Sequence, residues 1–572
     1  MKLILKIAVA FVLVLGVSSC GILGIHFKVK NPKRAGKYPK FKQEAILLGE
    51  MNQYRSVFDV TFYDIDIKVM PDDKMLSGVV EIHATATADF DSLQIDLDNQ
   101  FDIHSIRMGG STDELHYARE ERAVFVKMPR EMQQGTAFSL SVSYSGKPHK
   151  AKKPPWKGGF VWEKDKNKKP WIGVACESDG SSLWWPLKDH TGDEPDSVAM
   201  HITCPSEVMG VSNGRFRGKT AAPEANWSTY HWFTSYPINT YNITLYVGDF
   251  KLLHDSFKNE GRMLDLDHYV LSYNFEKAKV HFRQLHDQLR YFEQVFGEYP
   301  WYEDGFKLVE SPYAGMEHQS AIAYGQGYKN GPMQDFDYII LHESAHEWWG
   351  NSVSAFDLAD VWIHEGFATY AEALYVEHTQ GKSAYLNYLL FQRWMIKNKR
   401  PVVGPLGRRY FDYKDSDAYV KGSWVLHTLR SEIDDDTLFF DIIKTFAARY
   451  REKVITSQEF IDLVNEKTGT DYSWFFKQFL NDRRAPILEY NVAKDGNFYY
   501  RWSDTNQDTD FQMSVKVVGN DKVVTIQPTF QVQQMPNPFG AVDELTFNNR
   551  YKYFGIKENK RLKMSPAADP NF

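Results

Sequence analysis

The sequence predicts a multidomain α+β protein, and three observations carry that prediction. Period-two alternation dominates from Phe58 to about Phe250, helical spacing takes over after about residue 270, and alternation returns from Pro486. A length of 572 residues accommodates three or four domains of ordinary size. Hydrophobic residues at 43% and charged residues at 25% are the balance of a globular protein, which excludes bulk disorder. A net charge of -7 lacks the basic footprint of a nucleic-acid binder. Three cysteines build neither a disulfide framework nor a Cys-rich zinc module. The aromatic share of 15% suits several packed cores.

At the N-terminus, Lys2 and Lys6 precede an apolar run from Ile7 to Val17, which has the length and flanks of a secretory signal. Val17-Ser18-Ser19-Cys20 follows and resembles the bacterial lipobox, whose Cys is lipid-modified and becomes the mature N-terminus. On this reading residues 1–19 are a signal peptide and Cys20 is the lipid attachment site. The alternative is an uncleaved signal anchor, because weak apolarity continues through Gly21-Ile22-Leu23-Gly24-Ile25. Either way the expectation is a chain tethered to the membrane of a bacterial cell envelope, with its bulk periplasmic or extracellular. No second apolar stretch is long enough to span. Basic and Pro-containing residues up to 50 complete a tether over 20–50.

An all-β domain is expected over 51–254. Phe58–Ile67, Gly78–His83, Leu93–Leu97 and Phe138–Tyr144 alternate, and turn clusters separate them. Lys147 to Lys169 holds nine lysines and reads as a solvated hairpin or loop. A mostly helical domain is expected over 255–485. Phe275, Ala278, Phe282, Leu285, Leu289, Phe292 and Phe296 form one stripe ending at Gly297. Further helices are expected over 335–350, 365–379, 384–397, 420–432, 437–450 and 457–467, with Thr456-x-x-Glu459 a capping box for the last. Trp474–Leu480 closes the region. Over 486–572 the strands Ile487–Val492, Phe498–Trp502, Gln512–Val518 and Lys522–Gln527 suffice for a small β-sandwich, with Gly519-Asn520-Asp521 as a hairpin turn.

The chemistry is concentrated in Leu341-His342-Glu343-Ser344-Ala345-His346. Histidines four apart project from one face of a helix, and the intervening Glu343 is placed to hold a zinc-polarised water. Glu365 follows His346 with eighteen residues between. Two His and one Glu leave the fourth tetrahedral position open, the pattern of a catalytic rather than a structural zinc. Glu372, seven beyond Glu365 on the same helix face, is positioned to orient His342 or His346, or else to sit in a surface ion pair.

With that spacing followed by Glu-Gly, the sequence resembles the aminopeptidase N family of zinc metallopeptidases, which also contains leukotriene hydrolase. The resemblance extends over most of the chain. Ala314-Gly315-Met316-Glu317-His318 stands where the family has its GxMEN exopeptidase motif, 24 residues before His342. Tyr419-Val420-Lys421-Gly422 resembles the setting of the family's catalytic tyrosine. Cys176-Glu177-Ser178, with Trp185-Pro186 beyond, resembles the segment that supplies a second contact to the substrate amine, and Ser212-Asn213-Gly214 resembles a family turn. Ala314 and His318 depart from the family's Gly and Asn, and a counterpart of the large helical C-terminal domain of many relatives is not expected.

The resemblance implies an N-terminal β-saddle, a thermolysin-like catalytic domain and a small β-sandwich. It implies one zinc held by His342, His346 and Glu365, with Glu343 as base and Tyr419 as oxyanion donor. It implies peptide substrates with a free N-terminus, whose amine meets Glu317 and Glu177 and whose backbone meets Gly315 and Met316. The implied activity is release of N-terminal residues. A thermolysin-type endopeptidase and an inactive tethered peptide-binding protein are the rivals. The first usually has nineteen intervening residues and no amine-binding motif; the second predicts a lost ligand or base, and none is lost. Epoxide hydrolysis is disfavoured because Phe411 and Lys414 replace the leukotriene enzyme's Asp and Tyr. Sequence does not place Cys176 and Cys204 relative to each other.

Overall fold

The computed structural model describes residues 29–564 apart from 260, 332–333, 413, 507–510 and 543. The expected signal peptide and Cys20 therefore lie outside the described residues. Among the described residues, no helix is long and apolar enough to cross a membrane.

From residue 29 on, the expected tether is instead part of the folded body. Asn31 donates from Nδ2 to the Ala485 carbonyl at 2.7 Å and accepts at Oδ1 from the Ala485 N–H at 2.9 Å. Asn398 donates to the Lys30 carbonyl at 2.9 Å, Gly36 donates to the Lys399 carbonyl at 2.7 Å, and Arg400 reaches the Lys37 carbonyl at 2.8 Å. Helix α1 (Gln43–Leu47) follows, and its Glu44 accepts from Arg122 at 2.7 Å. The strap is held largely by backbone groups, so its Lys- and Pro-rich composition gives no sign of it.

The N-terminal domain is built on a seven-stranded sheet in the spatial order 215–221, 227–234, 197–205, 58–70, 75–86, 137–146, 101–108. Along strand 58–70, Val60, Tyr63, Ile65, Ile67 and Val69 face the core while Asp59 and Asp66 face solvent, which is the alternation seen in sequence. Sheets of three strands (90–96, 123–132, 117–120) and four strands (209–212, 245–248, 170–175, 159–164) share this core. The Lys-rich stretch takes in the first strand and the turn of the hairpin 159–164/170–175, with Lys166 and Lys168 exposed at the turn.

A five-stranded sheet, in the order 250–259, 262–271, 308–310, 322–324, 315–316, joins this domain to the helical one. Its first strand starts at Phe250, ahead of the expected boundary at 255. Tyr269, Val309, Met316 and Ala323 of this sheet belong to the N-terminal core, whereas Leu308, Ile322 and Tyr324 belong to the helical core. One sheet thus closes both cores.

The stripe from Phe275 is two helices, α2 (Phe275–His281) and α3 (Gln284–Phe296). Between them Leu285 bonds to Phe282 and His286 to Arg283, the tighter i to i+3 pattern, so the apolar face continues across the break. The remaining helices are α4 (Tyr338–Ala345), α5 (Trp362–Gln380), α6 (Lys382–Met395), α7 (Asp417–Ile433), α8 (Asp436–Arg449), α9 (Ser457–Thr468) and α10 (Ser473–Phe476). Helix α4 is shorter than expected: Asp337 caps its first turn, and the chain leaves it after His346. The capping box of Thr456 and Glu459 is formed. After α10 the chain runs into a π-helical turn over 477–481.

The C-terminal region forms two small sheets (533–536, 497–503, 487–492, 555–558; and 522–526, 515–519, 546–547), a β-sandwich. Gly519 pairs with Lys522, and Asn520 and Asp521 have φ of 48° and 60°, as a two-residue hairpin turn requires. Its aromatic core is continuous with the helical one: the Phe511 ring lies 5.2 Å from Trp474 and 5.4 Å from Trp502.

Candidate metal centre and active site

Helix α4 presents His342 and His346 on one face, and their Nε2 atoms lie 3.2 Å apart. Glu365, in the first turn of α5, brings Oε2 to 3.4 Å from His342 Nε2 and 3.6 Å from His346 Nε2. A tetrahedron with ligands about 2.0–2.1 Å from its centre has edges of about 3.3 Å, so these three atoms define one face of a zinc site. Glu365 Oε2 is buried without a hydrogen-bond partner, as a ligand atom aimed at a cation would be. Both outer nitrogens are held: His342 Nδ1 pairs with Glu372 Oε1 at 2.6 Å, and His346 Nδ1 donates to the Trp349 carbonyl at 2.8 Å. That leaves both Nε2 lone pairs for metal. Glu372 thus orients His342, and Tyr388 donates to its other oxygen. The tripod fits zinc.

Glu343 lies beside this face with the ligands, and Gly315 comes against it. A Cβ at position 315 would lie 2.5 Å from Glu343 Oε1, so the glycine is what lets the Gly315–Met316 strand approach the base. This strand is the sheet's edge and pairs on one side only, Gly315 with Tyr324 and Met316 with Ala323. No strand pairs with its other side among the described residues.

Glu317 and Glu177 are both buried and close enough to act on each other's charge, the first from the catalytic domain and the second from the N-terminal one. Glu317 Oε1 accepts from the Tyr241 hydroxyl at 3.1 Å; Glu177 Oε1 is buried without a partner. Burial, then the neighbouring Glu317, push the Glu177 carboxyl well above its ordinary range. Burial also raises Glu317, and raises Glu343 to about 8. Glu365 is the exception: burial opposes its charge, but the facing His342 and His346 imidazoles hold it well below the carboxylate range. Four buried carboxyls without a counter-charge are a costly arrangement, and a dication plus an ammonium are the charges that relieve it.

Tyr419 enters from the first turn of α7, its ring stacked over His342 at 6.4 Å and 17°. Burial, then Glu365, raise its pKa well above the usual phenol value, so it is a donor. Its position depends on a backbone crossing. A Cβ on Gly366 would lie 3.0 Å from the Gly422 Cα, and one on Gly422 would lie 2.9 Å from the Gly366 Cα, so α5 and α7 touch there through glycine. Lys421, next to Gly422, is buried and spends its ammonium on the Asp482 and Arg483 carbonyls at 3.2 Å and 3.1 Å, a structural tie. Phe411 flanks Tyr419 with a ring separation of 6.0 Å.

His318 turns away from catalysis: its Nδ1 lies 2.7 Å from the Tyr246 hydroxyl, and burial keeps the imidazole neutral, with a pKa of about 3. Asn213 donates to the Asn242 and Gln319 carbonyls at 2.9 Å and 2.7 Å, so the Ser-Asn-Gly turn ties the two domains behind the cleft. Cys176 and Cys204 are separate buried thiols. Sequence reasoning missed Tyr241, His364, Tyr388 and the Trp349 carbonyl. Only His364, adjacent to a ligand, carried a local signal.

A family model described as the Peptidase M1 N-terminal domain matches residues 60–242, and one described as the Peptidase family M1 domain matches residues 281–479. The chain belongs to peptidase family M1. Among its M1 relatives is Leucine aminopeptidase 2 of Sclerotinia sclerotiorum, 22% identical over 563 residues, covering 89% of this chain and 88% of that one. Aminopeptidase N of Streptomyces lividans is 23% identical over 329 residues, 53% of this chain and 38% of that longer one. The fold is similar to that of an M1 zinc metallopeptidase variant from Deinococcus radiodurans, solved with a Tyr-Ser-Ala substrate. It has a TM-score of 0.65 and 21% identity, and the match covers 75% of this chain and 95% of that one.

Proposed function

We propose that this M1 peptidase is a zinc-dependent aminopeptidase with one zinc per chain, removing N-terminal residues from peptides. The observation that carries the reading is the juxtaposition of the tetrahedral face of His342, His346 and Glu365 with two further buried carboxyls, Glu317 and Glu177. Zinc bound there supplies an activated water and polarises the scissile carbonyl. Glu343 takes the water's proton and returns it to the leaving amine. The Tyr419 hydroxyl donates to the developing substrate oxyanion. Glu317 and Glu177 hold the substrate ammonium by charge-assisted hydrogen bonds, which fixes the first peptide bond as the one that reacts. The Gly315–Met316 edge aligns the substrate backbone as an added strand.

The test is hydrolysis of free and N-acetylated aminoacyl reporters by the purified chain, with metal analysis. About one zinc per chain, reversible loss on chelation and strong preference for the free amine are expected. Efficient cleavage within N-blocked peptides would return the protein to the endopeptidase class. A second part of the proposal concerns place: the 1–25 sequence favours a lipid anchor at Cys20 in a bacterial envelope. Cys20→Ser is expected to release the protein from membranes or leave it unprocessed, and wild type carrying an unmodified N-terminal helix by mass spectrometry would favour the signal anchor.

A further inference from the structure

We propose that His364 and Tyr241 form a hydrogen-bond relay of fixed polarity that positions Glu317 for the substrate ammonium; the inference rests on the aminopeptidase reading.

The relay begins at a backbone group. The Ala355 N–H donates to His364 Nε2 at 2.8 Å. A ring nitrogen that accepts carries no hydrogen, so the imidazole proton sits on Nδ1. Nδ1 lies 3.4 Å from the Tyr241 hydroxyl, the rings being stacked at 23°. Since Nδ1–H donates to the phenol oxygen, the phenol hydrogen is left for its other neighbour, Glu317 Oε1, at 3.1 Å. Each link therefore has one possible direction, set by the Ala355 backbone N–H, which cannot change its role.

The participants are held. His364 and Tyr241 are each 2% exposed. Gly350, with φ of 115°, lies against the His364 ring, where its own Cβ would approach within 3.1 Å. Tyr241 sits in a one-turn 3₁₀ helix (Thr240–Asn242) whose preceding Asn239 accepts from the Tyr241 N–H at 3.2 Å. Asn351 fixes the Glu317 backbone by donating to its carbonyl at 2.9 Å. With Oε1 committed to a neutral donor, Oε2 of Glu317 is the atom left for the substrate ammonium. The relay also joins the two domains: Tyr241 comes from the N-terminal domain, and His364 is the neighbour of the ligand Glu365.

The test is a double-mutant cycle on the full chain, with zinc content and thermal melting checked for each variant. Tyr241→Phe and His364→Leu are each expected to raise KM for free-amine reporters about tenfold, the usual size of one hydrogen bond to a charged group, with a much smaller change in kcat. Rates on N-acetylated reporters are expected to stay put. Because His364 acts only through Tyr241, the double variant is expected to be no worse than the worse single one. His364→Asn, whose amide can donate from near the Nδ1 position, is expected to recover most of the loss. Additive losses, or equal falls in kcat on both reporter types, would overturn the relay. If His364→Leu fails to fold, Tyr241→Phe decides alone, and an unchanged KM overturns it. A wild type without preference for the free amine defeats the aminopeptidase reading itself, whereas that preference with unaltered variants defeats only the relay.

Discussion

At the scale of single residues, the site is governed by which atoms have room and which have partners. Gly315 is the clearest case. Its φ is not in the left-handed region, so Ala is allowed by the backbone, yet the added methyl would meet Glu343 Oε1 at 2.5 Å and Ile339 at 2.7 Å. The base would have to move, and a misplacement of about 1 Å is enough to cost about a hundredfold in rate. Gly315→Ala is therefore expected to lower kcat about 10- to 100-fold while keeping zinc, in steady-state assays paired with metal analysis. It should resemble a milder Glu343→Gln, and full activity in Gly315→Ala would show that the base tolerates displacement. The ligands and base were legible in the sequence because one helix carries His342, Glu343 and His346 at a spacing that fixes their common face. Glu365 was legible from its distance along the chain. The Trp349 carbonyl and Tyr388 were not, since a carbonyl has no letter and Tyr388 reaches Glu372 only through the packing of α6 on α5.

At the scale of elements, periodicity located the helices from Phe275 on but only part of the strands, leaving out 101–108, 123–132, 197–205, 227–234 and 262–271, and it erred at element ends and at the strap. The apolar face runs unbroken from Phe275 to Phe296, so period alone cannot show that α2 stops at His281 and α3 restarts at Gln284. Residues 29–50 defeat sequence reading for another reason: their contacts are made largely by main-chain groups and Asn31, with Glu44 and Glu50 as side-chain anchors to Arg122 and Arg408. The crossing of α5 and α7 bears its own prediction. Gly422→Ala gains about 1 kcal/mol of helix propensity but drives a methyl into backbone that cannot rotate away, a cost of about 1–3 kcal/mol. The clash wins on balance, so a lower denaturation midpoint is expected together with reduced turnover, both read on the same purified variant. A stabilised, fully active Gly422→Ala would mean that the helices part without consequence.

At the scale of the whole molecule, the two large domains share the five-stranded sheet and are tied by polar groups behind the cleft. Lys307 is one tie: it is buried, and its ammonium donates to the Gly214 carbonyl across the boundary. Burial depresses its pKa from 10.5 to about 8. The sign follows: below about pH 8 the lysine is charged in both states and the burial cost is fully felt. Between about 8 and 10.5 the unfolded chain binds the extra proton, so stability rises with pH. Lys307→Met lacks this titration. The melting temperature of wild type relative to Lys307→Met is expected to climb across that window, and a pH-independent difference would show that Lys307 is solvated in solution. Sequence gave no hint of this lysine, because burial of a charge is a property of the assembled domains.

The glycine crossing has a further consequence for how this enzyme can be altered. Gly366 follows the ligand Glu365 directly, and Gly422 lies one helical turn beyond Tyr419, so a single backbone contact meters both metal ligand and hydroxyl donor. The two functions share one mechanical degree of freedom. Across any panel of substitutions at 366 or 422, zinc affinity and turnover should therefore rise and fall along one line, and tuning one while holding the other constant would require changes elsewhere on α5 or α7.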